Sequence, residues 1–296
     1  MKRVLITGGA GFLGAWIVKR LVGRGIEPSV FDISPERAIV ASIAGAAAND
    51  MEWVVGDIRS GTDVLHAAEG CDGIIHLAGV LTPACRIDPL RGAEVNLIGT
   101  LNVFAAAQRY GLSPVVYASS AGVYGPDDPV NPLPGTHYGA FKLACEGCAR
   151  AYWDDVRLAS AGFRPYVVYG PGREVGASAG ISLACRAAAR GESYVAPFTG
   201  ACGLVYVDDA AAAFEHALMS PASGANVYNL VGEVASVETA LDEIRLQVPG
   251  AMLDARGAAL PIASGIDEAA LDDWFAERPK TSLADGIKAT IEHYRK

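Results

Sequence analysis

The sequence predicts an α/β fold: a doubly wound parallel sheet followed by a smaller C-terminal part. Three observations predict it. Short apolar runs of strand character alternate with segments of helical periodicity through the first half of the chain, the pattern of a parallel sheet covered by helices on both faces. The first run, "RVLIT", opens straight into glycines spaced three apart, Gly8, Gly11 and Gly14, and then into a helical repeat through Ile17, Val18 and Leu21. The second run, "IEPSVFD", ends on a carboxylate, Asp32, 18 residues beyond Gly14.

Strand, glycine turn and helix in that order form a dinucleotide fingerprint of the Rossmann type. Gly8 permits the tight turn, Gly11 lets a pyrophosphate approach the backbone, and Gly14 lets the helix pack close to the strand. Together with Phe12 and Leu13, these residues offer phosphates the free N–H groups and positive end of a helix. Asp32 can accept both ribose hydroxyls of NAD and repel a 2′-phosphate. NAD is therefore the expected cofactor, and Arg37, close by in sequence, keeps NADP as the lesser alternative. The N-terminal "MKRVLITGGAGFLGAW" also has the basic start and apolar stretch of a secretory signal, but a first strand feeding a functional turn accounts for the same residues.

The alternation continues. "MEWVVGDIRS" predicts a strand ending at Asp57, and "CDGIIHLAGV" one ending in a small-residue turn at Ala78 and Gly79. A long helix is expected over 89–110, and "SPVVYASSAGVYG" predicts a strand that opens into a Ser/Gly loop. Ligands bind beyond the C-terminal ends of the strands in such sheets, which places Thr7, Asp32, Asp57, Ala78 and Ser119–Gly122 around one site. His76 falls inside a strand run and reads as a core histidine.

The 296 residues are 51% apolar and 19% charged, with a net charge of −9. That supports one large domain or two modest ones with a sizeable core, and it argues against a nucleic-acid partner, which needs a basic surface. No apolar run reaches the ~20 residues of a membrane span. Six scattered cysteines fit reduced thiols in a cytoplasmic protein. Cys145 and Cys148 spell CxxC, but inside a helical pattern and without the second pair that a metal site needs, so no metal is expected.

One further stretch, "GTHYGAFKLACEGCARAY" (135–152), places Tyr138 and Lys142 one helical turn apart on a shared face. Ahead of it runs "GPDDPVNPLPG", a loop whose four prolines exclude helix and which, lying between Ser120 and Tyr138 in sequence, is expected to wall the pocket. A free phenol ionises near pH 10, and an ammonium beside it favours the phenolate. Such a pair can remove the O–H proton of an alcohol as hydride leaves its carbon.

"TGGAGFLG", "DIR", "HLAG", "NLIGT", "SSAGVYG", "YGAFK", "RPYVVYGPG" and "YVDDAAAAF" occur in this order along nearly the whole chain. Together they resemble the extended short-chain dehydrogenase/reductases, specifically the NAD-dependent epimerase/dehydratase family. The resemblance implies that Tyr138 is the catalytic tyrosine, Lys142 its partner, and Ser120 the catalytic Ser/Thr that holds the substrate oxygen. It implies that Asp57 and Ile58 flank the adenine, that Leu77, Ala78 and Gly79 line the cofactor, and that Pro165 to Val168 border the nicotinamide. The resemblance also implies an ordering role for Asn96 near the cofactor and a second role for Lys142 in holding the nicotinamide ribose. In the family, the helices 89–110 and 138–158 pair into a four-helix dimer interface, so a homodimer is expected.

Departures from the family pattern narrow the chemistry. Sugar-nucleotide dehydratases carry Asp-Glu after the catalytic Ser/Thr; here those positions are Ala121 and Gly122, beside the substrate, and neither can move a proton. The arginine that clamps a sugar-nucleotide diphosphate falls near Cys202 in this chain, and a thiol cannot make that bidentate contact. The expected activity is therefore NAD-dependent oxidation of a secondary alcohol in a small sugar, sugar acid or related polyhydroxy compound. Arg173, in the loop "PGREVGASAG", is a candidate contact for an anionic substrate group. Two alternatives stand: an epimerase with retained NAD, in the manner of UDP-galactose epimerases, and a non-catalytic NAD-sensing regulator. Residues 1–170 with about 203–231 are expected to form the cofactor domain, and about 171–202 with 232–296 the substrate-binding part.

Overall fold

The structure, a computed structural model, describes residues 1–295, the side chains of Ala47 and Asn49 excepted. Strands β1 (Arg3–Thr7), β2 (Glu27–Asp32), β3 (Glu52–Val55), β4 (Gly73–His76), β5 (Val115–Ala118) and β6 (Ser160–Pro165) build a parallel sheet. Then come β7 (Val167–Tyr169), β8 (Tyr194–Ala196), β9 (Ala201–Tyr206), β10 (Ala225–Leu230), β11 (Glu233–Ser236) and β12 (Leu253–Ala255). Of these, β10 returns to the large sheet as its seventh strand, in the order β10-β6-β5-β4-β1-β2-β3. Strands β11, β9 and β7 form a three-stranded sheet, and β12 pairs with β8.

Burial explains the apolar runs. Val4, Leu5 and Ile6 of β1, Ile74 and Ile75 of β4, and Val115 and Val116 of β5 are fully enclosed, because helices cover both faces of the sheet. Each such side chain contributes roughly 1.5–3 kcal/mol by leaving water. One face packs on the helices Phe12–Gly23 and Val207–Met219 through Ile17, Val18, Leu21, Phe214 and Ala217. The other packs on Gly61–Ala68, Gly99–Tyr110 and His137–Val156 through Val64, Phe104 and Ala149. Arg20 of the first helix and Arg24, which caps its end, both pair with the buried Glu215, fixing the helix against Val207–Met219.

Two predicted elements differ in detail. The helix expected over 89–110 is three segments, Pro89–Ala93, a π-helical turn Glu94–Ile98, and Gly99–Tyr110. The amide nitrogen of Asn96 takes the Gly92 carbonyl at 3.0 Å, competing with the regular backbone ladder at that turn. The strand expected to end at Asp57 stops at Val55. The helix carrying Tyr138 runs His137–Val156; the Thr136 side chain caps its start by accepting from Gly139 N, and Arg157, at φ 58°, ends it.

The strand order reverses between β1 and β4. Loops leave in opposite directions there, and a crevice opens at the carboxyl ends of the strands.

Candidate active site

A cavity of about 710 Å³ fills that crevice. Gly8, Gly11, Phe12, Leu13 and Gly14 line one end. Gly8 adopts φ +70°, and a Cβ there would lie 2.6 Å from Ala78 N, so only glycine lets the turns after β1 and β4 touch. A Cβ at Gly14 would lie 2.6 Å from Gly9 O, which keeps the helix close to the turn. Gly11 caps that helix without a side chain, and its first turn carries no acidic residue. Its leading N–H groups are therefore free for an anion.

Asp32 stands at the end of β2 and lines the cavity. Its Oδ2 accepts from Ala10 N at 3.1 Å and its Oδ1 from Ser34 N at 3.0 Å. Arg37 is engaged away from it: its Nη1 donates to Ala48 O at 3.0 Å, and its guanidinium lies 4.9 Å from the Trp53 ring centre. Asp57 and the buried Ile58 line the same end. Arg59 grips Asp57, with Nη2 2.6 Å from Oδ2, and holds that carboxyl below the usual range. Leu77, Ala78 and Gly79 form the floor, and Pro165 to Val168 the far wall.

At the other end Ser120, Tyr138 and Lys142 converge. Lys142 is buried, and its Nζ donates to Ala118 O at 2.7 Å and lies 5.8 Å from the centre of the Tyr138 ring. Ser120 Oγ accepts from Gly122 N at 3.0 Å. A Cβ on Gly122 would meet Ser120 Oγ at 3.2 Å and Tyr138 Cδ1 at 3.9 Å, so hydroxyl and phenol flank the same glycine. Ser119 is committed elsewhere: it donates to the buried Glu146 at 2.5 Å, and Arg164 holds that carboxylate at 2.8 and 2.6 Å. Both serines line the cavity, but Ser119 is buried with its hydroxyl given to Glu146, whereas Ser120 is half-buried and its hydroxyl proton is left for a ligand.

Several expected residues stand elsewhere. Asn96 is fully buried behind the wall and does not line the cavity; its amide nitrogen donates to Val80 O at 3.0 Å, and it supports the loop that does. Ala121 is also fully buried, because Ser120 caps a 3₁₀ turn that carries Ala121 into an apolar cluster with Val123 and Tyr124. Gly122 lines the cavity in its place. The proline loop leaves only Thr136, just beyond it, on the wall. Its Pro134 and Leu133 pack instead against Gly139 and Gly125. Cys202 is buried among the strands, where desolvation pushes its thiol up to about 12, and it does not line the cavity. Cys145 is buried and Cys148 half-buried, both thiols raised by burial. Among the described residues no three His, Cys, Asp or Glu side chains form a metal site.

The structure adds walls that the sequence did not announce. Leu81, Thr82 and Pro83 stand on one side of the cavity and Leu260, Pro261 and Ile262 on another, with Arg59 and Arg91 at the Asp57 end. Residues 80–83 directly follow the "HLAG" motif, a usable signal. Residues 260–262 carry no local pattern and arrive from the far end of the chain.

His76 is a core residue, as its place in a strand suggested. Thr7 Oγ1 lies 2.6 Å from Nδ1, and Nε2 lies 3.0 Å from Thr100 Oγ1. The Thr100 hydroxyl donates to Asn96 O at 2.6 Å, so the network assigns the neutral ring with its proton on Nε2. Burial first, and then the Lys142 charge, push its pKa down to about 3 from 6.5. Between those values the unfolded chain binds a proton that the native ring refuses, so this contribution to stability is fully present above the unfolded value and is lost as pH falls. At pH 4.5 the loss from this group is about 2–3 kcal/mol. Chemical denaturation of wild type and His76→Gln at neutral pH and at pH 4.5 should show the variant losing less by about that amount; equal losses would contradict the assignment.

Known proteins share this architecture. A UDP-glucose 4-epimerase of Mycolicibacterium smegmatis is 32% identical over 317 aligned positions, covering 99% of this chain and 98% of the relative. The UDP-glucose 4-epimerase of Thermus thermophilus, solved in complex with NAD, superposes with a TM-score of 0.85 at 26% identity over 99% of both chains. A partial-consensus L-threonine 3-dehydrogenase reaches a TM-score of 0.89 over 99% of both chains, and at 22% identity that likeness is one of fold. The profile of the NAD dependent epimerase/dehydratase family matches residues 4–231, and with the cavity described above it establishes that this chain belongs to that family.

Proposed function

We propose that the protein oxidises a secondary alcohol of a small sugar, sugar acid or related polyhydroxy compound with NAD. The observation that carries this reading is the meeting of Ser120, Tyr138 and Lys142 in one cavity with the free helix start at Gly11. The residues fit the cofactor: a glycine turn held against Ala78 where a Cβ at Gly8 would collide, uncapped N–H groups for a diphosphate, and Asp32 for a ribose diol. When bound, NAD supplies the hydride acceptor. Tyr138 takes the alcohol proton as a phenolate, Ser120 Oγ holds the substrate oxygen, and the Lys142 ammonium stabilises the phenolate. The Ala118 carbonyl fixes Lys142 Nζ, which leaves its remaining N–H bonds for the nicotinamide ribose.

Asp32 sets the cofactor choice. NAD should bind well ahead of NADP, and Asp32→Ala should narrow the gap by weakening NAD and admitting the 2′-phosphate. Calorimetric titration of both proteins with both cofactors checks this; matching constants in wild type would contradict it.

Epimerisation with retained NAD is the second reading, favoured by whole-length similarity to a UDP-glucose 4-epimerase. A nucleotide-sugar substrate would need cations for its own diphosphate beyond those that serve the cofactor. The cations lining the cavity, among the described residues, are Arg59, Arg91, Lys142 and Arg173, and Arg59 is already paired with Asp57 and Glu94. The intact Ser120, Tyr138 and Lys142 also argue against a purely sensing role. A screen of sugars, sugar acids and polyols for NADH formation tests the proposal. Turnover of a small substrate with no measurable UDP binding supports it; tight UDP binding with retained NAD and no net NADH would establish the epimerase.

A homodimer and a cytoplasmic location belong to the same proposal. Leu90 and Ile98 are exposed on the helical segment 89–110, and Ala140, Ala144 and Ala151 on the adjacent helix His137–Val156. This is an apolar face suited to a second copy of the chain. Light scattering should return twice the chain mass; a monomer at micromolar concentration would contradict the pairing. All six cysteines are unpaired, as suits a reducing compartment, and among the described residues no helix is long and apolar enough to cross a membrane.

A further inference from the structure

After β7 the chain leaves the sheet and crosses the mouth of the crevice. A Cβ on Gly172 would lie 3.3 Å from Ile39 Cγ2 and 3.6 Å from Ile43 Cδ1, on the helix Ala38–Ala44 that follows β2. Four residues later a Cβ on Gly176 would lie 3.2 Å from Leu81 Cδ1, on the segment after β4. Residues 172–178 therefore form a strap joining the two walls, and Gly172 N pins its start by donating to Tyr294 Oη at 3.0 Å.

Arg173 hangs from the strap into the cavity. Its Nη1 donates to Val168 O at 2.5 Å and its Nη2 to Ser178 Oγ at 2.8 Å, both neutral acceptors. Its Nε is enclosed and has no partner. The adjacent Glu174 pairs with Arg186 instead, at 3.3 Å. Burial accordingly pushes the guanidinium down to about 10, the mark of a cation without a counter-charge. The guanidinium lies 5.7 Å from the ring centre of Phe12, the first residue of the helix whose opening N–H groups are uncapped. Two independent positive features, a helix start and a desolvated guanidinium, thus meet across one stretch of the cavity.

We propose that Arg173 is the second half of a diphosphate site: the N–H groups at the start of Phe12–Gly23 hold the anion from one side, Arg173 from the other, and the strap 172–178 is a clasp that this charge pairing holds closed. The assignment gives Arg173 to the cofactor diphosphate and not to an anionic substrate group. It rests on the reading of the glycine turn as the NAD site. A guanidinium suits a diphosphate because its planar donors match paired phosphate oxygens.

The test is calorimetry on wild type, Arg173→Gln and Arg173→Lys, titrated with NAD, ADP-ribose, adenosine and, at saturating NAD, UDP. Arg173→Gln should weaken NAD and ADP-ribose alike, roughly tenfold or more, with Arg173→Lys recovering part of the loss and adenosine unaffected. Unchanged ADP-ribose binding in a folded Arg173→Gln protein overturns the proposal, as does a loss confined to UDP or to anionic substrates at saturating NAD. Wild type that binds no NAD or ADP-ribose would overturn the cofactor reading itself, a distinct failure. A measurement on wild type alone covers a variant that does not fold: ADP-ribose should slow amide exchange across 172–178 where adenosine does not. Equal protection by both ligands would contradict the clasp.

Discussion

Tyr138→Phe should lose about 100-fold or more of turnover on any substrate the wild type oxidises, the scale expected for removing a general base. The substitution keeps the ring beside Gly122 and Lys142 Nζ, and therefore the local packing. What it removes is the oxygen that would take the alcohol proton. Ser119 is bound to Glu146, and His76 is buried and tied to two threonines, so neither can replace it. NAD affinity should change little. Steady-state kinetics with parallel calorimetry check both parts, and near-normal turnover in the variant would reduce the Tyr138/Lys142 pair to packing.

Lys142→Met should differ in kind. Turnover should again fall by about 100-fold, because the phenolate loses its neighbouring charge. Cofactor affinity should fall as well, by roughly tenfold or more, since a charge-assisted hydrogen bond to the ribose goes with it. The side chain is buried and its Nζ donates to the Ala118 carbonyl, so a stability loss of about 1–3 kcal/mol should accompany the change. NAD binding equal to wild type would limit Lys142 to the phenol and remove it from the cofactor site.

Much of the site was legible because its signals are local. The glycine turn, Asp32 at the end of β2, and Tyr138 and Lys142 one turn apart all fall within single elements whose backbone geometry dictates where they sit. Asp57 and Ala78, which line the cavity, follow from parallel strands ending on one edge, whereas Ile58 and Val168 came from the family resemblance. What was not legible depends on turns and on distant packing. Ala121 and Gly122 are adjacent, yet a 3₁₀ turn buries one and presents the other. Asn96 lies on an expected helix, but the π-helical turn and its hydrogen bonds to Val80 and Gly92 place it behind the wall. The proline loop was expected to wall the pocket; it packs on Gly125 and Gly139 instead, and Leu260–Ile262 supply the wall from across the molecule. Cys202 was read as standing where a clamp would be, but β9 carries its thiol into the core. Such positions are set by contacts between segments far apart in sequence, which no local pattern records.

The central claim is that hydride passes between an alcohol carbon and NAD within this cavity while Tyr138 takes the proton. It is tested most directly with a substrate from the NADH screen carrying deuterium on its carbinol carbon. A single turnover is followed by mass spectrometry of cofactor, product and solvent. The account predicts the deuterium on the reduced cofactor, or back in the product if the enzyme epimerises, with Tyr138→Phe slowing its movement in either case. Deuterium released to solvent, with none passing through the cofactor, would contradict it.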